Sequence, residues 1–89
     1  MAMCTVYQIV MRNITCACIE DIHRFIYALL VFRDRRHCAF HAFSLGSEGA
    51  SVLISEGDWS VAKCMDHFSD RWQQPVSYDV ETRIVPVAR

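Results

Sequence analysis

Glycine and proline are scarce in this sequence, with 3 and 2 copies among 89 residues. That scarcity excludes collagen-like and low-complexity chains, which need far more of both. Hydrophobic residues make up 53% of the chain and charged residues 21%, a balance that excludes intrinsic disorder. Because a chain of this length builds one modest hydrophobic core, we expect a single domain over residues 1–89.

The sequence also lacks an excess of charge of either sign, since its net charge is −1. Nucleic acids and anionic membranes select basic protein surfaces, so we expect no nucleic acid and no membrane as partner. No apolar run approaches the roughly 20 residues that a membrane-spanning helix needs. The first residues lack the basic and apolar regions of a secretory signal, which predicts a cytoplasmic protein with reduced thiols.

Four segments have the composition of β-strands, rich in β-branched and aromatic residues: 4–11, 37–43, 50–55 and 76–84. Two helical segments separate them in the order β-α-β-β-α-β. Crossover connections are almost always right-handed, and this order is typical of one simple architecture. We therefore predict an α+β fold, a ferredoxin-like sandwich with a mixed, mainly antiparallel sheet and both helices on one face. The other face of the sheet is left open.

Both helices are predicted from apolar residues at helical spacing. The first should run from about 16 to 33, with Thr15 as its cap. Its predicted core-facing stripe consists of Ile19, Ile22, Ile26, Leu29 and Leu30. The second should begin at the cap Asp58. Its predicted stripe consists of Val61, Met65, Phe68 and Trp72.

Several phrases spread along the chain form a distinctive combination. They are Tyr7 in the first strand, the pattern Gly49-x-x-x-Leu53-x-x-Glu56-Gly57, Val61 in the next helix, Asp70-Arg71-Trp72 and the closing segment 84–89. Together they resemble the BLUF family of flavin-binding blue-light sensors. The resemblance covers nearly the whole chain and is specific mainly from residue 49 onward. It implies the ferredoxin-like fold and positions for a flavin.

The resemblance assigns three flavin-site positions, Tyr7, Arg35 and Leu53. Tyr7 matches the tyrosine that the family has on strand one. Leu53 stands where the family has a glutamine that bonds both tyrosine and flavin, and leucine can neither donate nor accept a hydrogen bond. Arg35 stands where an asparagine holds the flavin carbonyls, and a long cation does not replace a short amide. His41 and Ala42 align with the small threonine-glycine pair near the ring.

These departures predict a BLUF-like scaffold without a cofactor and without a flavin photocycle, in which the three positions are not functional. Two origins fit such a chain. One is a natural domain that serves in protein interaction or self-association, with a homodimer through the open sheet face. The other is a computational redesign with no native function. The alternative function is a blue-light sensor domain that binds FAD or FMN in an altered pocket.

Cysteine and histidine also occur at spacings that suggest metal half-sites, Cys38 with His41 and Cys64 with His67. A closed zinc site needs four convergent ligands. Residues three apart on a strand point to opposite faces unless a bulge intervenes. Acid–base catalysis needs side chains within hydrogen-bond reach, and neighbours such as Asp66 and His67 do not face each other on a helix. We therefore predict no metal site, no catalytic residue and no enzymatic activity.

Overall fold

The computed structural model describes residues 3–14, 16–34, 36–46 and 49–86. Within these residues the chain forms four strands: β1 (Met3–Met11), β2 (Cys38–Gly46), β3 (Gly49–Glu56) and β4 (Tyr78–Pro86). It also forms α1 (Ile19–Leu29), which a 3₁₀ turn extends over Leu30–Arg33, and α2 (Val61–Trp72). No helix in the described part of the chain is long and apolar enough to cross a membrane.

The strands form one sheet in the order β2-β3-β1-β4. All three pairings between neighbours are antiparallel. The strands joined by each helix, β1 with β2 and β3 with β4, run parallel but are separated by another strand. The predicted ferredoxin-like α+β fold is therefore confirmed. The predicted mixed sheet is wrong, because the described strands pair only antiparallel with their neighbours.

The hydrophobic core lies between the helices and one face of the sheet. On the strands, alternate residues point into it, as the two-residue period of a strand requires. Those contributed by β1 and β3 are Ile9, Met11, Ala50, Val52 and Ile54. The largest helical contributions are Phe25 of α1 and Phe68 of α2, both fully buried. No described element covers the opposite face.

The first helix buries a different face from the one predicted. Phe25, Ala28 and Phe32 are fully buried, whereas four members of the predicted stripe are exposed: Ile19, Ile22, Ile26 and Leu30. Only Leu29 of that stripe belongs to the core. The reason is that α1 has apolar residues around more than half of its circumference, and the bulky phenylalanines fill the space against α2. The helix begins after Cys18 without a side-chain cap, and the predicted cap Thr15 lies outside the described residues.

The second helix buries the predicted face but begins three residues after the predicted cap. Ser60 is the N-cap, because its Oγ accepts a hydrogen bond from the Lys63 N–H at 3.2 Å. The whole predicted stripe is buried: Val61, Met65, Phe68 and Trp72. The helix ends at Gln73 in the left-handed conformation, and the Gln73 N–H donates to the Ser69 carbonyl at 2.8 Å.

Candidate functional site

Tyr7 and Leu53 lie on opposite faces of the sheet. Tyr7 pairs with Ile54 on β3, whereas Leu53 pairs with Gln8. Residues directly opposite each other share a face and successive residues alternate, so Tyr7 points toward the helices and Leu53 toward the open face. Arg35, the third predicted position, lies outside the described residues. The described residues thus do not bring Tyr7 and Leu53 together in one pocket.

On the helix side, Tyr7 faces an apolar partner and an anion. Ile54 is fully buried and has no side-chain donor or acceptor. The carboxylate of Glu56 raises the pKa of the Tyr7 phenol, and partial burial adds to that effect. Neither Leu53 nor Ile54 can therefore make the hydrogen bond that the BLUF glutamine makes, whichever of them is taken as the matching position.

Aromatic rings fill the space between the two helices. The ring centroid of Phe25 lies 5.9 Å from that of Phe68 and 6.4 Å from that of Trp72, both edge-on. Phe32 contacts Phe68 at 5.8 Å. The guanidinium of Arg24 covers the Trp72 ring at 4.4 Å and donates to the Trp72 carbonyl at 2.7 Å. Trp72 Nε1 is buried and has no hydrogen-bond partner among the described residues.

The Glu56-Gly57 phrase has a structural role in this chain. The Glu56 carboxylate accepts a hydrogen bond from the Val61 N–H at 3.0 Å and so satisfies one of the unpaired donors at the start of α2. A Cβ at Gly57 would lie 2.9 Å from the backbone oxygen of His37, closer than a side chain tolerates. Packing of the β3–α2 connection against the start of β2 explains both residues without a ligand.

A stack of rings beside this connection was not predicted from the sequence. The imidazole of His37 lies on the Trp59 indole with centroids 3.4 Å apart, and His67 stacks on the same indole at 4.5 Å. Lys63 Nζ lies 4.7 Å from the indole centroid. The spacing of four between residues 59, 63 and 67 is the signal that could have indicated it. The stack places His67 against Trp59 rather than against Cys64.

The fold separates the members of the two metal half-sites suggested by the sequence, Cys38 with His41 and Cys64 with His67. Cys38 and Cys64 are both buried in the core, where each thiol affects the pKa of the other. A bulge between Phe40 and Ala42 makes His41 an extra residue, and His41 Nε2 lies 2.8 Å from Ser55 Oγ. Among the described residues, no group of three or more potential ligands could hold a metal ion. All five cysteines belong to that part of the chain, and none forms a disulfide.

Burial of the two core thiols makes the stability depend on alkaline pH. Burial raises the pKa of the Cys38 thiol from 9.0 to about 12 and also raises that of Cys64. Between pH 9.0 and 12 the unfolded Cys38 thiol loses its proton while the folded one keeps it. The free energy of unfolding should therefore fall by about 1.4 kcal/mol per pH unit above pH 9, whereas this contribution is fully present below pH 9.

Urea unfolding at pH 8, 9 and 10 measures this dependence. Cys38→Ala is the matched variant, because it removes the thiol while keeping a small apolar side chain at a position that is 1% exposed. We expect the wild type to lose more stability than Cys38→Ala between pH 9 and 10. Equal losses in the two proteins would show that the Cys38 thiol ionises as readily in the folded chain as in the unfolded one.

The open face of the sheet has an uncharged centre. The centre is formed by alternate residues of the two inner strands, namely Val6, Gln8, Val10, Ser51 and Leu53. Charged residues of the same face lie on the edge strand β4, namely Asp79, Glu81 and Arg83. One of them pairs with the residue that follows β1, because Arg12 Nη1 lies 3.1 Å from Asp79 Oδ2. The open face thus has an uncharged centre and a charged row along one edge.

Polar side chains on the open face bond to one another. Ser44 Oγ and Ser51 Oγ, opposite each other on β2 and β3, are 2.7 Å apart. Ser55 Oγ bonds His41 and also lies 3.5 Å from Cys4 Sγ. A shallow depression of about 130 Å³ lies beside Leu53 and Ser51. A partner that covers this face therefore meets hydroxyl groups that are already paired, but it has to supply a hydrogen-bond partner for the amide of Gln8.

Comparisons with protein-family models, with curated proteins and with solved structures found no match for this chain. The relation to the BLUF family therefore remains a resemblance between sequence phrases.

Proposed function

We propose that this chain is a non-enzymatic BLUF-like scaffold without a flavin photocycle, and that it acts as a self-association module through the open face of its sheet. The observation that carries the proposal is the uncharged centre of that face, which no described element covers. We expect no catalysis from the one pairing of a hydroxyl with an imidazole described above, because Ser55 Oγ and His41 Nε2, 2.8 Å apart, lie on the exposed open face of the sheet rather than in a cleft.

The helix side of the sheet supports a role without flavin. Phe25, Phe68 and Trp72 occupy the space between the helices, so a flat ring system would have to displace buried aromatic side chains. Tyr7 faces Ile54, which cannot hydrogen-bond to a flavin, and Glu56 adds a negative charge beside its phenol. Binding a flavin there would expose or displace core side chains without supplying a compensating hydrogen bond.

The open face supports association because its layout matches that of protein interfaces. Such interfaces have a centre depleted of charge and a polar margin. Here Val6, Val10 and Leu53 provide the apolar centre, and the β4 row provides charges of both signs. Two copies related by a twofold axis present the same patch to each other. Within one chain Arg83 Nη2 lies 3.4 Å from Glu81 Oε2, and in the dimer these two exposed side chains would exchange partners with those of the other copy.

Leu53→Lys should abolish self-association. A lysine in the centre of the interface would be desolvated without a partner, which should weaken the dimer about 100-fold or more. Sedimentation velocity over a range of concentrations measures the effect. Tyr27→Lys is the control, because Tyr27 lies on α1 and is 55% exposed. A wild-type chain that stays monomeric would instead favour the redesigned scaffold with no native function, and a Leu53→Lys dimer would exclude the open face.

The second candidate function is a flavin-binding sensor with an altered pocket. Two observations favour it, the position of Tyr7 on the helix side and the buried indole N–H of Trp72 without a partner. The test is gel filtration of the protein after incubation with FMN or FAD, followed by an absorption spectrum. Our proposal predicts a colourless protein. Blue absorbance that elutes with the protein would support the sensor and contradict the flavin-free scaffold.

A further inference from the structure

An apolar groove lies on the other side of the molecule, between α1, the 3₁₀ turn and the edge strand β2. Its volume is about 650 Å³, within the range of roughly 300–1,000 Å³ that is usual for small-molecule sites. Ile26 and Leu30 line it from the helical side, and Phe40 and Phe43 line it from β2. The groove is separate from the open face, because Phe40 and Phe43 pair with the core-facing residues Ile54 and Val52 of β3.

The groove is formed by large apolar side chains that water can reach. Ile26 and Phe43 are each about half exposed, at 48% and 49%, and Leu30 and Phe40 are exposed at 39% and 40%. Single exposed apolar residues are ordinary, but several that line one concavity mark a binding surface. This surface exists because α1 turns the face with Phe25 and Ala28 toward the core, which leaves Ile26 and Leu30 exposed. An apolar ligand would remove their side chains from water.

One cation lies in this apolar lining. Arg33 is the only charged residue among the described residues that line the groove. The ion pairs found within the described residues all involve other cations, so no described carboxylate lies within ion-pair distance of its guanidinium. A guanidinium presents two parallel N–H donors that match the two oxygens of a carboxylate. The groove therefore combines an apolar wall with one anion-binding group.

We propose that this groove binds an amphipathic monocarboxylate, a free fatty acid of medium chain length. The alkyl chain lies against Ile26, Leu30, Phe40 and Phe43, and the carboxylate pairs with Arg33. A long apolar chain with a single anionic head complements both the lining and the lone cation, whereas a ligand with several charges would leave some of them against apolar side chains. The proposal is independent of self-association through the open face.

Calorimetric titration of the full chain with decanoate, kept below its micelle concentration, tests the proposal. We expect saturation of one site per chain. Arg33→Gln should weaken decanoate binding about tenfold, because it removes the charge-assisted pair. Arg71→Gln on α2, whose guanidinium covers the Tyr27 ring and does not line the groove, should leave the affinity unchanged. Decan-1-ol has the same chain length without the charge. It should bind the wild type about tenfold more weakly than decanoate does, and it should bind Arg33→Gln as tightly as it binds the wild type.

Several results would overturn the fatty-acid assignment. Decanoate that does not saturate, or that binds Arg33→Gln as tightly as the wild type, would do so. Ile26→Ser should bind decanoate much more weakly while keeping the wild-type oligomeric state. A loss of dimer in Ile26→Ser would instead identify a second copy of the chain as the occupant of the groove. Leu53→Lys should bind decanoate normally, so failure of the association proposal and failure of this one are distinguishable.

Discussion

Phe25→Ala is expected to lower the free energy of unfolding by about 3–5 kcal/mol. Phe25 is fully buried and contacts three rings, those of Phe43, Phe68 and Trp72. Truncation leaves a cavity between both helices and the sheet, which rigid neighbouring rings cannot fill. Small domains have only about 0.05–0.15 kcal/mol of stability per residue, so such a loss is a large fraction of the total.

Tyr27→Ala is the matched control for this prediction. Tyr27 lies on the same helix and has a similar side chain, but it is 55% exposed. Its removal should change the free energy of unfolding by about 0.5 kcal/mol or less. Urea unfolding followed by circular dichroism compares the two variants. Similar losses of stability in the two variants would contradict the finding that the Phe25 face of α1 is buried in the core. They would leave open the predicted burial of the face with Ile22 and Ile26.

Gly49→Ala is expected to destabilise the protein by about 2 kcal/mol or more, because the backbone leaves no space for a side chain. A Cβ built at Gly49 overlaps the backbone oxygen of Met11 on the neighbouring strand. The overlap is with backbone, so it cannot be relieved by rotation of a side chain. Relief requires β3 to move away from β1, which would weaken the pairing of Met11 with Ala50.

Gly46→Ala provides the control, since Gly46 is the cross-strand partner of Gly49. The nearest atom to a Cβ at Gly46 is the Gly49 backbone oxygen at 3.8 Å, an ordinary contact. The two alanine variants have the same composition and differ only in position. We expect thermal unfolding to show a clear loss for Gly49→Ala and little change for Gly46→Ala. The reverse order would mean that β1 and β3 are not as close at this end as the structure places them.

The order of elements could be predicted because each strand and helix has its own local signal. The face of α2 was also predictable, since its apolar residues form a single stripe that includes Phe68 and Trp72. The face of α1 was not, because Ile22 and Ile26 form one stripe and Phe25 and Phe32 another. Sequence period shows that both stripes exist, but only packing against α2 decides which of them is buried.

The candidate site was harder to predict because it depends on register. A shift of one residue moves a strand side chain to the other face of the sheet. The resemblance placed Tyr7 and Leu53 in one site, but the pairing of Tyr7 with Ile54 places them on opposite faces. Cys38 of β2 and Cys64 of α2 likewise come close to each other only in the folded core. The spacing of residues along the chain indicates neither the separation of Tyr7 from Leu53 nor the closeness of the two cysteines.

Amide chemical shifts of ¹⁵N-labelled protein, recorded over a wide dilution series, test the proposed association surface most directly. We expect concentration-dependent shifts along the inner strands of the open face, at Val6, Gln8, Val10 and Leu53. We expect little change at Ile22 and Ile26 of α1, which lie on the other side of the molecule. Shifts confined to α1, or spectra that do not change on dilution, would contradict self-association through the open face.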